Sequence, residues 1–552
     1  MFIRVTKNTK GQAYYHIVES YREGEKVRQR ILLSLGKAED GGLENLMESA
    51  ARHVDMLTAT QLAKEISIEK TFILGPLLIL ERLFEKLGID KAIAESRLKH
   101  PKIRFNLKKI IFTLVASRFV HPGSKLKVFE HWQRSFYPEM LQPDLELHQI
   151  YRALTVLSKE KENIENCLYW HQRDLFHQEV DVVLYDLTTL RFESTRTDLG
   201  ELRQFGYSKE MRTDCTQVIF GLLVDRDGIP LGFEVYPGNT FEGKTVSDIV
   251  KKMKEKFKVR RFIFVADRGL FSRGNLEELR RDKGEFIVGM KLGVFKDRHE
   301  EFYDLKKFER INSDLAVYET THEGDRCIVT WSRKRAERDQ KVRADIVAKI
   351  QKKLSLKKVQ SKTFVSNSNY KKYVVLPEDQ NGKPELNEKV IEAEAKRDGF
   401  FGVVTNVKDM KPSEIITNYK DLWKIEDAFG EFKGNLRARP VFHWKDHRIV
   451  GHLVVCFLAY LCEAHLTKQL REKGLVLESP AIDQKTIKPR ALTVVEVMKE
   501  LREVRAVPVQ VREQTIWTRT DITGNAAMIF KAAGVGVPKK VLSVTQNCSE
   551  TN

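Results

Sequence analysis

Two aspartates stand where strand-like runs end, and their positions suit them to chemistry. Asp186 closes the run "VDVVLYD", and Asp267 closes "RFIFVAD". A carboxylate at the end of a buried strand is costly to desolvate unless a ligand or a cation compensates it. If the two strands are neighbours, both side chains can stay ionised only with a cation between them. An ordinary turn or capping role is the alternative for each residue taken alone.

A third carboxylate, Glu426, lies in the helical stretch "IITNYKDLWKIEDAFGEFKGNL". On a helical wheel, Tyr419 and Lys433 are each seven residues away and fall on the same line as Glu426. An apolar stripe that includes Leu422 lies to one side of that line. The pattern predicts that Glu426 borders the buried face and can reach a sheet edge. An ordinary boundary glutamate is the alternative, but it would not explain why Tyr, Glu and Lys share one line.

The segment "GNTFEGKT", Gly238–Thr245, matches the phosphate-binding loop of nucleotide hydrolases. Two features oppose that interpretation. Glu242 would repel a triphosphate, and the preceding strand looks like half of a hairpin, whereas phosphate loops normally follow a central parallel strand. An ATPase would also give no role to Asp186 or to the Tyr-Glu-Lys line. A P-loop ATPase therefore stays a less favoured alternative.

Composition points to a polyanionic partner. The 552 residues carry a formal net charge of +18, which favours nucleic acid first and an anionic membrane surface second. The six cysteines form no CxxC pair, so we expect neither a zinc site nor a disulfide framework. The N-terminus lacks the apolar core of a signal peptide, and the longest apolar run, Leu453–Cys462, is too short to span a bilayer. We expect a cytoplasmic protein with no membrane contact.

The pattern of apolar residues divides the chain into segments. Residues 1–40 alternate like strands, 41–178 show helical periodicity, and strands and helices alternate from 179 to 293. Residues 294–396 lose that pattern, and between Trp331 and Tyr373 there are 14 Lys and Arg against three Asp and Glu. Such a basic run is either a solvated face or a contact surface for DNA. The core pattern returns over 397–475, with helices predicted at about 411–434 and 447–473.

These motifs together resemble a DDE transposase of bacterial insertion sequences, in the branch with a Tyr-x2-Arg-x3-Glu-x6-Lys signature. Tyr419, Glu426 and Lys433 match three of its four positions, and the arginine position is Leu422. "YDLTTL" at Asp186 and "ADRGLFSRGNL" at Asp267 match the regions of the family's two aspartates. The family's Pro-Gly-Asn-x-x-Glu-x-x-Thr stretch matches Pro237 to Thr245, which accounts for the apparent phosphate loop.

The resemblance implies an α/β fold, a ribonuclease-H-like mixed sheet. A basic, strand-containing insertion domain (294–396) would separate the two parts of this core, 179–293 and 397–475. The first 40 residues would form a basic β-module, residues 41–178 would bind the DNA end, and residues 476–552 would serve dimerisation. In this interpretation Asp186, Asp267 and Glu426 are catalytic and hold two Mg²⁺ ions, for which Mn²⁺ can substitute.

The predicted DNA contacts are Tyr419, Lys433, Arg268 and Trp331. The predicted partners are double-stranded DNA, as terminal inverted repeats and as target, and a second copy of the chain on paired ends. The predicted reaction is cleavage at the element ends followed by strand transfer of the 3′-hydroxyl. The alternative is a catalytically silent relative that only binds DNA.

Overall fold

The computed structural model describes most of the chain. The described residues are 2–24, 26–37, 66–68, 70–142, 144–173, 181–198, 200–207, 212–241, 243, 245–257, 261–270, 272–281, 284–295, 299–355, 368–376, 384–478, 489–491, 493–511 and 514–546. Glu242, Lys244 and the first part of the predicted helical region, 41–65, lie outside them.

Strands are numbered in chain order. They are β1 (Phe2–Lys7), β2 (Ala13–Glu23), β3 (Lys26–Lys37), β4 (Ile66–Ser67), β5 (Phe72–Ile73), β6 (Asp181–Arg191), β7 (Gln217–Asp225), β8 (Pro230–Pro237), β9 (Phe262–Ala266), β10 (Glu285–Met290), β11 (Glu309–Arg310), β12 (Leu315–His322), β13 (Asp325–Ser332), β14 (Val374–Val375), β15 (Glu385–Leu386), β16 (Phe400–Thr405), β17 (Val476–Glu478), β18 (Pro489–Ala491), β19 (Arg505–Val511), β20 (Gln514–Arg519) and β21 (Val541–Gln546).

The longer helices are numbered in the same way. They are α1 (Gly75–Lys86), α2 (Ile89–Leu98), α3 (Leu107–Val120), α4 (Leu147–Lys159), α5 (Lys161–His171), α6 (Thr245–Phe257), α7 (Arg273–Arg281), α8 (Arg333–Leu354), α9 (Glu388–Ala395), α10 (Pro412–Lys420), α11 (Trp423–Lys433), α12 (Asp446–Glu472), α13 (Val494–Arg502) and α14 (Gly524–Ala532). Shorter helical turns lie at Lys125–Lys127, Val128–Trp132, Gln133–Ser135, Pro138–Met140, Arg268–Leu270, Leu292–Val294, His299–Tyr303, Leu305–Lys307 and Ser368–Lys371.

The chain forms two compact units. The smaller combines Met1–Thr71, Ala506–Asp521 and Pro538–Asn552, and the larger combines Phe72–Arg505 and Ile522–Val537. The smaller unit holds the antiparallel sheet β1-β2-β3, which confirms the strands predicted in the first 40 residues, and a second sheet in the order β21-β20-β19-β4.

The larger unit is built on one mixed sheet in the order β11-β12-β13-β16-β10-β9-β6-β7-β8. Strands β6, β7 and β8 form an antiparallel meander, while β9 pairs parallel to both β6 and β10. All five residues of β9 are buried, which agrees with its continuous apolar sequence. The predicted hairpin is confirmed, since Gly228 adopts a positive φ of 82° in the turn between β7 and β8.

The segment predicted as an insertion, 294–396, extends this sheet. Strand β13 pairs antiparallel with β16, and β12 and β11 follow outward. The segment also contains the 22-residue helix α8, which carries much of the basic run. Residues 356–367 of that run lie outside the described part of the chain.

Helix α12 is the apolar centre of the helical layer. Its 27 residues make it the one helix, within the described residues, long and apolar enough to cross a membrane, and an 18-residue stretch of it has a mean hydropathy of 1.8. However, 83% of that apolar stretch is buried inside the protein, where α12 packs against α3, α4 and β8. The apolar run Leu453–Cys462, too short to span a bilayer by itself, is thus the buried middle of this helix.

Candidate active site

Strand pairing places Asp186 and Asp267 side by side. The parallel register pairs Tyr185 of β6 with Ala266, the last residue of β9. Asp186 and Asp267 are the residues that directly follow this pair, so they lie next to each other. Paired residues of neighbouring strands project to the same face of a sheet. Both side chains therefore line the same cavity, of about 660 Å³.

The prediction that the first strand ends at Asp186 is wrong. Strand β6 continues to Arg191, because its pairing with β7 extends from Val183↔Asp225 to Arg191↔Gln217. Asp186 is half-buried in the middle of this strand, and the backbone N–H of Leu187 donates to its Oδ1 at 2.7 Å. Asp267, in contrast, directly follows its strand, as predicted, and is exposed.

Glu426 reaches the same cavity from the first turn of α11, which packs against β6 and β7. The predicted helix around it is interrupted, because Asp421 and Leu422 form a tight turn between α10 and α11. There the backbone N–H groups of Lys424 and Ile425 donate to carbonyls three residues back, which shortens the helical turn. The wheel that aligned Tyr419 with Glu426 assumed a continuous helix, so their proximity rests on the tertiary fold.

Tyr419 holds one of the acids in place. Its hydroxyl donates to Asp267 Oδ1 at 3.0 Å, and its ring lies 4.9 Å from that of Phe401. Burial and the charge of Asp267 raise the pKa of Tyr419, so the hydroxyl is protonated at neutral pH. Gly289 of β10 makes this approach feasible, because a Cβ there would stand 2.4 Å from the Tyr419 hydroxyl oxygen.

Basic and aromatic residues complete the lining. Lys334, Arg335 and Arg338 come from the first turns of α8, and Trp423, which is exposed, comes from α11. Sequence reasoning marked the basic run as a whole but did not single out these residues. A sequence feature that could have identified them is their position directly after the strand β13, because the end of that strand brings the start of α8 to the cavity.

Arg335 is the most closely held of these cations. Its guanidinium carbon lies 4.9 Å from the centre of the Phe401 ring, and its Nε lies 3.7 Å from a carboxylate oxygen of Asp339. Burial lowers its pKa, while Asp339 opposes that shift, and a guanidinium keeps its charge under both influences. Arg335 therefore brings a positive charge to the cavity lined by the three acids.

The other predicted site residues do not line this cavity. Arg268 is exposed in the turn after Asp267, Lys433 is half-buried at the end of α11, and Trp331 is half-buried in β13 with its ring against Gly399. None of the three is among the described residues that line the cavity. Leu422, at the signature arginine position, does line it and is 9% exposed.

The donor set suits a hard divalent cation, since three carboxylates line one cavity. The carboxylates do not already form a closed cluster. In the described part of the chain, no three His, Cys, Asp or Glu side chains lie close enough together to chelate one ion. Asp186 Oδ1 accepts a hydrogen bond from the Leu187 amide and Asp267 Oδ1 accepts one from the Tyr419 hydroxyl, so the protein orients both carboxylates.

The apparent phosphate loop follows β8, an edge strand of the main sheet. Thr245, which would face a metal in an ATPase, is fully buried and accepts a hydrogen bond from Tyr185 at 3.1 Å. A Cβ at Gly238 would stand 2.2 Å from the carbonyl oxygen of Gln217, so this glycine serves close backbone packing. The described geometry therefore opposes an ATPase.

Comparison with known proteins agrees with this geometry. The family model described as the transposase DDE domain matches residues 178–462, which include all three acids of the cavity. This chain belongs to the DDE transposase family. A second model, the N-terminal domain of IS1634 family transposases, matches residues 3–61 of this transposase. It is thus an insertion-sequence DNA transposase, an enzyme that binds and cleaves DNA and transfers DNA strands.

Among solved structures, the transposase is similar to the piggyBac transposase in its cryo-EM synaptic complex with hairpin DNA. That likeness has a TM-score of 0.37 at 9% identity and covers 79% of this chain and 82% of the other. No curated protein matches the chain.

Proposed function

We propose that Asp186, Asp267 and Glu426 are the catalytic carboxylates of this transposase. The observation that carries the proposal is that one cavity gathers all three from separate parts of the chain. They would hold two Mg²⁺ ions, with Mn²⁺ as a substitute. When bound, such ions activate the attacking oxygen and stabilise the leaving oxygen in phosphodiester cleavage.

The chain's own residues would prepare that site. The Leu187 amide fixes one oxygen of Asp186, and the Tyr419 hydroxyl fixes one oxygen of Asp267. Both carboxylates thereby keep a defined orientation in the cavity. Glu426 is exposed at the start of a helix, so it can adjust to the ions and to the DNA.

The predicted ribonuclease-H-like core has support from the sheet order. An antiparallel meander, β6-β7-β8, is followed by two strands, β9 and β10, on the far side of β6 and parallel to it. The first acid lies on the central strand and the second directly after its parallel neighbour. We propose this core, and membership of the signature branch, on that arrangement and on Tyr419, Glu426 and Lys433.

We propose that Arg335 supplies the guanidinium that the signature position lacks here. Leu422 is apolar, yet it lines the same cavity as Arg335. Stacking on Phe401 keeps the guanidinium extended, which suits bidentate contact with a DNA phosphate. Arg268, Lys433 and Trp331 remain predicted contacts for DNA that flanks the cavity.

The substrate would be the terminal inverted repeats that flank the reading frame, cut in the bacterial cytoplasm by a homodimer on paired ends. The test is cleavage of such a labelled end in Mg²⁺ by the full chain, its Glu426→Gln variant and its Asp427→Asn variant. Asp427 is the matched control, because it is an exposed acid next to Glu426 that does not line the cavity.

We expect the wild type and Asp427→Asn to cleave, and Glu426→Gln to bind the DNA without cutting it. Equal cleavage by Glu426→Gln would refute the assignment of this residue. Binding without cleavage by the wild type would show the silent DNA-binding relative instead.

A further inference from the structure

We propose that a second cavity in the larger unit binds a backbone phosphate of DNA. This basic cavity has a volume of about 450 Å³. Its lining includes five cationic side chains and no Asp or Glu among the described residues. The cationic residues are Arg118, Lys125, Lys127, Arg437 and Arg439.

Two of these cations are almost fully buried. Arg118 is 4% exposed and Lys125 is 3% exposed. Arg118 Nη1 donates to the carbonyl oxygens of Leu436 and Arg437, at 3.1 and 3.0 Å. Lys125 Nζ lies 3.3 Å, and Arg118 Nη2 lies 3.4 Å, from one atom, Nδ1 of His452. Both cations thus meet acceptors that carry no formal charge.

The imidazole between them is neutral. His452 Nε2 lies 3.1 Å from the carbonyl oxygen of Ala438, which can only accept, so Nε2 carries the proton and Nδ1 offers its lone pair. Burial and the adjacent Lys125 and Arg118 charges lower the pKa of His452 well below its usual range. The same causes lower the pKa of His443, which also lines the cavity, to about 3.

Among the residues that the structure describes, no carboxylate opposes the buried positive charge of this cavity. Burying an ion costs free energy unless an opposite charge compensates it. Burial and Arg118 accordingly lower the pKa of Lys125 well below its ordinary value of 10.5. An anion in the cavity would offset this cost, and a metal cation would increase it.

The surroundings favour a phosphate that belongs to DNA. Phe442, which lines the cavity, and Trp444, two residues further along the chain, are 58% and 45% exposed. The guanidinium carbons of Arg196 and Arg203 lie 5.0 and 5.3 Å from the Trp444 ring centre. Exposed aromatic rings among cations are typical of surfaces that follow a nucleic-acid strand. DNA is also the polyanion on which this enzyme acts.

The test compares the full-length wild type with Lys125→Met and Lys473→Met. Methionine keeps the length of the buried side chain and removes its charge, and such a replacement is often tolerated. Lys473 is an exposed lysine outside the cavity and outside the segment expected to bind the DNA end, so its variant removes the same charge elsewhere. The readout is the affinity for the element's end DNA between about 50 and 200 mM salt, the range over which phosphate contacts dominate.

We expect Lys125→Met to bind this DNA roughly fivefold more weakly, with a slope of log affinity against log salt smaller by about 0.9, the value for one phosphate contact. Lys473→Met should match the wild type. If Lys125→Met does not fold, Lys127→Met, an exposed residue of the same lining, should show the same change.

Unchanged DNA affinity and salt slope in the folded cavity variant would overturn the proposal. If, in addition, inorganic phosphate raised the melting temperature of the wild type but not of Lys125→Met, the cavity would bind free phosphate and not DNA. The inference rests on the enzyme acting on DNA. Loss of DNA binding by the wild type itself would instead refute the proposed function.

Discussion

The larger unit has an acidic cavity, which is the one lined by Asp186, Asp267 and Glu426, and the basic cavity, and their charged groups lie in opposite surroundings. In the acidic cavity Asp267 and Glu426 are exposed and Asp186 is half-buried, so water compensates much of their charge. In the basic cavity Arg118 and Lys125 are buried, and the acceptors they meet among the described residues are backbone carbonyls and the neutral His452 ring. An accessible carboxylate can adjust its position to metal ions and to a reacting phosphate. A buried cation is held in one position, which suits a phosphate that is bound but does not react.

A third region shows that the fold can compensate a buried lysine. Lys161 of α5 is 8% exposed, and its Nζ lies 2.9 Å from a carboxylate oxygen of Glu234 and 3.2 Å from one of Glu165. These acids raise the pKa of Lys161, whereas Lys125 has a lowered pKa. The difference indicates that the uncompensated charge of the basic cavity is a property of that site.

The largest expected effect is at the centre of the acidic cavity. Asp186→Asn should reduce DNA cleavage roughly a thousandfold, because it removes a charged ligand worth several kcal/mol in a metal-assisted reaction. DNA binding should persist. Asp227→Asn is the control, since it changes an exposed acid paired with Lys468 at 2.5 Å. Single-turnover rates measure the effect, and a rate for Asp186→Asn near that of the control would contradict it.

The two buried lysines should differ in stability. Lys161→Met should lower the free energy of unfolding by about 3 kcal/mol, because Glu165 and Glu234 lose this buried cation, and Lys252, at 3.1 Å from Glu234, compensates only one of them. Lys125→Met should leave stability unchanged or raise it, because no carboxylate among the described residues pairs with Lys125. Denaturant unfolding of both variants measures this, and equal losses would show that the two sites are alike.

Tyr419→Phe should slow cleavage about tenfold while binding is retained, since the loss of one hydrogen bond to a charged acceptor costs about 1.5 kcal/mol. Asp267 would lose its 3.0 Å partner, but the ring contact with Phe401 would remain. Cleavage rates at saturating DNA measure the change. A fall in DNA affinity with an unchanged rate would show that Tyr419 acts on binding instead.

The smallest expected effect concerns the cation of the acidic cavity. Arg335→Met should weaken binding of the end DNA a few-fold and reduce the salt slope by about 0.9, as expected for one phosphate contact. Arg333→Met is the matched control, because Arg333 is exposed in the same first turn of α8 and does not line the cavity. Identical slopes for the two variants would remove Arg335 from the DNA path.

Local sequence predicted the elements that position the acids. The buried strand before Asp267 and the alternation of strands and helices between 179 and 293 are confirmed, because apolar periodicity determines them locally. The continuation of β6 beyond Asp186 and the turn at Leu422 depend on contacts with distant strands. For the same reason, the sequence did not indicate that Gly289 makes room for Tyr419, or that Arg335 and Lys125 line cavities.

The central claim, that three distant acids share one metal site, can be tested without measuring DNA cleavage. Fe²⁺ can replace Mg²⁺ in sites of carboxylate oxygens, and with ascorbate and peroxide it cuts the polypeptide beside the ligands that hold it. With DNA bound, the account predicts polypeptide cuts near Asp186, Asp267 and Glu426, all suppressed by excess Mg²⁺ and all lost in Asp186→Asn. Cuts confined to one of these segments, or unaffected by Asp186→Asn, would contradict it.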